Sequence, residues 1–128
     1  MMNNGWKDKV ILIAEDEKIN FLFLKSVFKE KGAEILWAKN GNETIQICRE
    51  HGKIDLVLMD IQMPGVDGLQ ATQLIKYEQP NLPILAQTAY STNDDRSKAL
   101  SAGCDDFLAK PIHPLNLMAT IERYLFQE

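Results

Sequence analysis

Short runs of consecutive apolar residues alternate along this chain with longer stretches in which apolar residues recur every three or four positions. Val10-Ile11-Leu12-Ile13-Ala14 is apolar throughout. A strand with one wet face would alternate, so this run predicts a strand covered on both sides. Over residues 18–31, Phe21, Leu24 and Phe28 fall on one helical stripe, and Gly32 supplies the stop. Ile35-Leu36-Trp37-Ala38 predicts a second strand, closed by Asn40-Gly41. Residues 43–51 predict a second helix with Ile45 and Cys48 inward and Gly52 as its stop. Leu56-Val57-Leu58-Met59 is a third strand, followed by a helix over 67–79 that carries Leu69, Leu74 and Ile75 and ends at Pro80. Ile84-Leu85-Ala86 is a fourth strand; the polar cluster from Ser91 to Asp95 starts its helix and Gly103 stops it. Phe107-Leu108-Ala109 is a fifth strand. The last helix begins at Pro114, a good first-turn residue, and runs through Leu117, Met118, Ile121 and Leu125.

Five strand–helix units with short links imply an α/β fold, a mostly parallel sheet with helices on both faces. At 128 residues the chain is expected to be a single domain over 1–128, with its core at about 9–126 and no output domain attached. Hydrophobic residues at 45% and charged residues at 25% are ordinary for a globular protein. The net charge of −4, with Lys and Arg scattered, argues against a nucleic-acid partner. Cys48 and Cys104 have no CxxC spacing, so both are expected as buried apolar side chains in a reducing compartment. The polar start from Met1 to Lys9 does not resemble a signal peptide. The longest apolar runs, about five residues, fall far short of the ~20 a spanning helix needs. A cytoplasmic location without membrane contact of its own is therefore expected.

In an open parallel sheet, chemistry collects outside the carboxyl ends of the strands. Glu15-Asp16 follows the first strand, Asp60 the third, Thr88 the fourth and Lys110 the fifth. Two unit charges about 4 Å apart repel by roughly 4 kcal/mol at an effective dielectric near 20. Three carboxylates therefore need compensation. Lys110 neutralises one charge, and a divalent cation with hard oxygen ligands, Mg²⁺, would neutralise the rest. The set predicts a metal-assisted phosphoryl site in which one carboxylate attacks, the metal and ammonium stabilise the transferring oxygens, and the hydroxyl donates a hydrogen bond. Singly, each group has an ordinary structural role: a strand-end Thr, a solvated Lys, a Glu-Asp pair at a helix N-terminus. Their joint placement at four strand ends carries the prediction.

The strings Ile13-Ala14-Glu15-Asp16-Glu17, Met59-Asp60-Ile61-Gln62-Met63-Pro64-Gly65-Val66-Asp67-Gly68, Thr88-Ala89 and Lys110-Pro111, in that order, closely resemble the CheY-like response regulator receiver domains. The resemblance spans about Lys9 to Phe126, and Ala102-Gly103-Cys104-Asp105-Asp106-Phe107 extends it. It implies a flavodoxin-like, doubly wound sheet of five parallel strands in the order 2-1-3-4-5 with five helices. It implies a phosphorelay domain that takes a phosphoryl group from a histidine kinase or phosphotransfer protein onto Asp60, catalysing only its own phosphotransfer and dephosphorylation. Asp16 and Asp60 would ligate Mg²⁺ by side chain, Gln62 by its backbone carbonyl and Glu15 through a bound water. Lys110 would pair with the acidic cluster and then with the phosphoryl oxygens. Thr88 would move to bond that group, with Phe107 as switch aromatic. Gln62 and Tyr90 occupy positions that tune phosphoryl lifetime, and a bulky Tyr90 would slow hydrolysis. The Lys110-Pro111 bond would be cis. Phosphorylation would change the face formed by the fourth helix, fifth strand and fifth helix, near Asp94, Arg96, Lys98, Asp105 and Arg123, where a phosphorylation-dependent dimer is an expected partner arrangement. Glu-Asp replaces the commoner Asp-Asp pair, and Phe107 a frequent Tyr.

The lead-in from Trp6 to Lys9, the string Ala86-Gln87-Thr88-Ala89-Tyr90 and Lys110-Pro111-Ile112 look more like receiver domains of hybrid sensor histidine kinases. Gly65 and Gly68 lack dinucleotide-fingerprint spacing and read as turn glycines. His51 and His113 are isolated and suit surface or capping roles. Trp37 is expected in the core and Trp6 over the sheet's outer edge. A flavodoxin-type electron carrier would need a neutral, hydroxyl-rich loop where Glu15-Asp16-Glu17 stands. A metal-dependent hydrolase would need a second base at the strand ends. A degenerate, purely binding receiver would lack the complete acceptor set.

Overall fold

The computed structural model describes residues 5–61, 63, 67–89 and 93–126. Strands β1 (Val10–Ala14), β2 (Glu34–Ala38), β3 (Leu56–Asp60), β4 (Ile84–Thr88) and β5 (Asp106–Ala109) alternate with helices α1 (Lys18–Phe28), α2 (Gly41–Glu50), α3 (Gly68–Glu78), α4 (Asn93–Ala102) and α5 (Pro114–Leu125). All neighbouring strands pair in parallel, in the order β2-β1-β3-β4-β5. This is the parallel sheet with helices on both faces that the apolar runs imply, in the doubly wound order that the resemblance implies.

Side chains alternate across a strand, so each all-apolar run feeds two cores. Ile11, Ile13, Leu56, Leu58 and Leu85 pack with Phe21, Leu24 and Phe28 of α1 and Leu117, Ile121 and Leu125 of α5. Leu12, Val57, Met59, Ile84 and Ala86 pack on the other side with Cys48 of α2, Ala71 and Ile75 of α3 and Ala99 of α4. The register Ile13↔Leu58 and Leu58↔Leu85 keeps each set on one face.

Helix ends follow local chemistry. Gly32 and Gly103 have φ of 90° and 112°, so both stops need glycine's left-handed freedom. Asn40-Gly41 opens α2 rather than closing β2: the Asn40 side chain accepts from the Glu43 N–H at 2.8 Å. Gly52 is not the stop of that helix, which ends at Glu50 with His51 already extended. Against the sheet α3 buries the small Ala71 and Thr72 beside Ile75, while Leu69 and Leu74 are only half-buried.

Trp6 does not lie over the sheet's outer edge. It is 1% exposed, packs against Phe28 with centroids 5.5 Å apart, and donates its indole N–H to Glu122 at 3.3 Å. Trp37 is half-buried and stacks on Phe21 at 4.4 Å. His113 caps α5, accepting from the Leu115 N–H, and His51 accepts from the Lys53 N–H, as the capping expectation requires. Both cysteines are buried and free.

Candidate functional site

The carboxyl edge of the sheet gathers the predicted groups. Glu15 follows β1 directly, Asp60 ends β3, Thr88 ends β4 and Lys110 follows β5. Period-two alternation carries Ile11 and Ile13 to Glu15, Leu56 and Leu58 to Asp60, Leu85 to Gln87 and Leu108 to Lys110, all on the α1/α5 side. Carboxylate oxygens of Glu15, Asp16 and Asp60 lie within 4.8 Å of one another. The Lys110 ammonium stands 3.2 Å from Asp60 Oδ2 and 3.5 Å from Glu15 Oε1. Glu15 and Asp60 are buried, Asp16 is exposed and Lys110 is half-buried.

The backbone holds these side chains in place. Glu15 donates its N–H to the Ala38 carbonyl at 2.9 Å and accepts the Trp37 indole N–H at its own carbonyl at 2.7 Å. Two residues of β2 therefore clamp it. Lys110 donates its N–H to the Thr88 carbonyl at 2.8 Å, and the Lys110–Pro111 bond is cis, as the resemblance implied. Ile61 donates to the Gln87 carbonyl at 3.2 Å, tying the chain just beyond Asp60 to β4. Above that segment sits Gly68. A Cβ there would meet Ile61 Cα at 2.5 Å and the Asp60 carbonyl oxygen at 2.7 Å. Gly68 is thus not a turn glycine; it is the first residue of α3, and the close approach of two backbones requires it.

Charge is concentrated and only partly relieved. Burial, followed by the neighbouring Asp60 carboxylate, pushes the Glu15 carboxyl up to about 7, against the opposing pulls of the Glu17 N–H and Lys110. Burial alone would lower the Lys110 ammonium, but Asp60 and then Glu15 hold it above its ordinary value. Three oxygen donors of hard character, two of them buried and raised in energy by proximity, fit a small divalent cation.

Thr88 is fully buried and Phe107 half-buried. The pair Ala86↔Phe107 places Phe107 against the core that includes Ala99 of α4, and alternation puts Thr88 on the same side. Gln62 and Tyr90 lie outside the described residues, so their expected metal and lifetime roles have no structural description. Two residues went unread as site components in the sequence. Gly68 carried only a turn signal. Gln87 carried a readable one, a lone amide inside an otherwise apolar strand run.

The response regulator receiver domain family matches residues 11–122. The chain belongs to this family. The receiver domain is similar to the polar-differentiation response regulator DivK of Brucella anthropi, 34% identical over 119 residues, covering 91% of this chain and 96% of that protein. The solved receiver domain of sensor histidine kinase PA1611 from Pseudomonas aeruginosa, with a magnesium ion coordinated in its active-site cleft, is 29% identical with a TM-score of 0.84, covering 91% of this chain and 97% of that one. The receiver domain of Ssk1 from Saccharomyces cerevisiae, co-crystallised with the histidine phosphotransfer protein Ypd1, is 33% identical with a TM-score of 0.84, covering 91% and 88%. The protein is a receiver domain of two-component phosphorelay signalling, with the flavodoxin-like topology of that family. Among the described residues, no helix is long and apolar enough to cross a membrane.

Proposed function

We propose that this receiver domain accepts a phosphoryl group on Asp60 from a phosphohistidine of a histidine kinase or phosphotransfer protein. An Asp60 carboxylate oxygen attacks phosphorus, the P–N bond breaks, and the imidazole leaves with the electron pair and takes up a proton. The observation that carries this reading is the Lys110 ammonium bridging Asp60 at 3.2 Å and Glu15 at 3.5 Å beside a three-carboxylate cluster. A cation is already aimed at the place where the transferred oxygens would sit.

Asp16 and Asp60 would hold Mg²⁺ by side chain, Gln62 by its backbone carbonyl and Glu15 through water. When bound, the metal supplies charge neutralisation at the transferring oxygens. Lys110 keeps the acceptor oriented and then follows the new anion. Thr88 supplies a hydroxyl to it, and Phe107 follows on the same side of the sheet. A phosphoryl group adds about −1.5 to −2 charge, enough to bias a two-state loop. Gln62 and Tyr90 set how long the group survives. The domain catalyses only its own phosphotransfer and dephosphorylation. The altered face of α4, β5 and α5 is where a phosphorylation-dependent dimer or target would bind. The location is cytoplasmic.

The test is incubation with a small phosphodonor and Mg²⁺ followed by intact mass. One added phosphoryl mass in the native chain and none in Asp60→Asn is expected. An unmodified native chain, or an equal gain in the variant, would reject Asp60 as acceptor.

A further inference from the structure

Before β1 the chain doubles back. Asp8 takes a φ of 71°, a left-handed conformation uncommon for a residue with a side chain. Lys9 donates its N–H to the Trp6 carbonyl at 3.0 Å and closes the turn. Trp6 is thereby carried into the core between α1 and α5, where it is buried beside Phe28. Its backbone N–H donates to the Lys31 carbonyl at 3.0 Å, just past α1, and its indole N–H to Glu122 Oε1 of α5 at 3.3 Å. Lys31 completes the set: its ammonium lies 3.4 Å from the same carboxylate oxygen and 5.9 Å from the centre of the indole ring.

Glu122 opens the last turn of α5, and the two residues after it reach β5 instead. Arg123 donates to Asp106 Oδ2 at 2.7 Å, while the Tyr124 hydroxyl lies 3.0 Å from the Asp105 carbonyl oxygen and 3.2 Å from Asp106 Oδ2. Asp106 Oδ1 in turn accepts the Phe107 backbone N–H at 2.8 Å. An unbroken series of contacts thus runs from the lead-in through three consecutive residues of α5 to the β5 backbone. The carbonyls of a last helical turn have no partners farther along the helix, so that turn frays before the rest. Here side chains anchor it on both flanks. Loss of one flank loosens the turn, and a loosened turn holds the other flank less firmly.

We propose that the lead-in over residues 5–9 is a strap that holds the last turn of α5 closed and, through it, the Asp106 clasp on the Phe107 backbone. Displacement of the chain ahead of Trp6 is then transmitted to the face of β5 and α5. Burial of Trp6 keeps the strap docked, and the left-handed turn at Asp8 pulls against it. The use of this device in signalling rests on the function proposed above for that face. The strap itself needs no phosphoryl group, so it is tested without one.

Amide hydrogen exchange in the ¹⁵N-labelled full chain, without phosphodonor, reads the strap locally. Two amides report: Phe126, whose N–H donates to the Glu122 carbonyl at 3.2 Å, and Phe107 on its Asp106 clasp. Trp6→Phe keeps an apolar ring and removes the indole donor. Both amides should then exchange at least about fivefold faster, the factor that one lost hydrogen bond of ordinary net strength gives. In Arg123→Ala/Tyr124→Phe, which cuts the route between α5 and Asp106, adding Trp6→Phe should still speed Phe126 but change Phe107 by less than about twofold, as for uncoupled sites. Asp60→Asn should respond to Trp6→Phe as the native chain does, which separates this proposal from the phosphoryl reading. A Trp6 that only stabilises the fold would speed the Leu12 and Leu58 amides at the sheet's centre and leave Phe126 and Phe107 unchanged. That pattern, or a Phe107 response that persists with the route cut, would overturn the strap.

Discussion

Replacing Gly68 by alanine sets two opposed effects against each other. Alanine is the better helix former by about 1 kcal/mol in a helix interior and by less at the first position, where Gly68 stands. Against this, the new methyl would sit 2.5 Å from Ile61 Cα and 2.7 Å from the Asp60 carbonyl oxygen, whereas ordinary contact begins at 3.4 Å. Relief needs a shift of about 0.9 Å, the difference 3.4 − 2.5, between two backbone segments. Overpacking typically costs about 1–3 kcal/mol, and rigid backbone obstacles place this site at the upper end. The net expectation is a loss of about 2 kcal/mol. At roughly 4 °C per kcal/mol for a domain of this size, Tm should fall by about 8 °C. Urea unfolding followed by tryptophan fluorescence would measure it. Gly52→Ala is the control: a Cβ there meets nothing within 4 Å, so stability should stay within about 0.5 kcal/mol. A Gly68→Ala protein as stable as the native one would refute the claim that close approach, rather than turn geometry, fixes this residue.

Three further outcomes follow from the buried groups. The Glu15 carboxyl titrates at 4.5 when unfolded and about 7 when folded, so the native state holds an extra proton between those values; stability should fall as pH rises from 4.5 to 7 and then level off, and Glu15→Gln should remove that decline in a urea–pH series. An unchanged slope in the variant would mean another group is responsible. Lys110→Ala leaves Asp60 and Glu15 facing each other and should cost about 1–3 kcal/mol at pH 8, shrinking toward pH 5 as Glu15 takes up its proton; a cost independent of pH would argue for lost packing instead. Burial pushes the Cys48 and Cys104 thiols up to about 11, so a thiol-specific chromogenic reagent should label them at the rate of unfolding, and rapid labelling of the native protein would contradict their burial.

The strands and the sheet were legible because short uninterrupted apolar runs alternate with amphipathic helical stretches, the pattern of a parallel sheet covered on both faces. The site was legible for a related reason. Each chemical residue stands immediately at or after a run, and counting in twos from Ile13, Leu58 and Leu108 brings Glu15, Asp60 and Lys110 to one side. Local chemistry that depends on distant partners was harder to read. The Asn40-Gly41 pair looks like a turn until Glu43 is seen to donate into it, and Gly68 looks like a turn until the backbone beyond Asp60 is seen beneath it. Trp6 was misplaced because nothing near it in the sequence announces Phe28 and Glu122.

The same counting in twos separates the groups that meet charge from those that would report it. Glu15, Asp60 and Lys110 fall on the α1/α5 side, while Thr88 and Phe107 fall on the side that packs with α4. A signal beginning at Asp60 must therefore reach groups that point to the other side of the sheet. The edge offers a route. Lys110 donates its backbone N–H to the Thr88 carbonyl at 2.8 Å while its ammonium holds Asp60 at 3.2 Å, so one residue touches both sides at once. If Asp60 gains negative charge, as proposed, the ammonium is drawn toward the new oxygens, and the strand end carrying Thr88 is bonded to the same residue. Lys110→Arg tests this coupling. Its longer planar head keeps the positive charge and the backbone bond but not the point-charge geometry. Phosphorylation by a small donor should then survive, while the phosphorylation-dependent shift of the Thr88 and Phe107 amide resonances should shrink at least about twofold. For a minor switched population, a twofold drop corresponds to about 0.4 kcal/mol in the two-state equilibrium. An undiminished shift would show that the hydroxyl answers the phosphoryl group by itself, without the lysine.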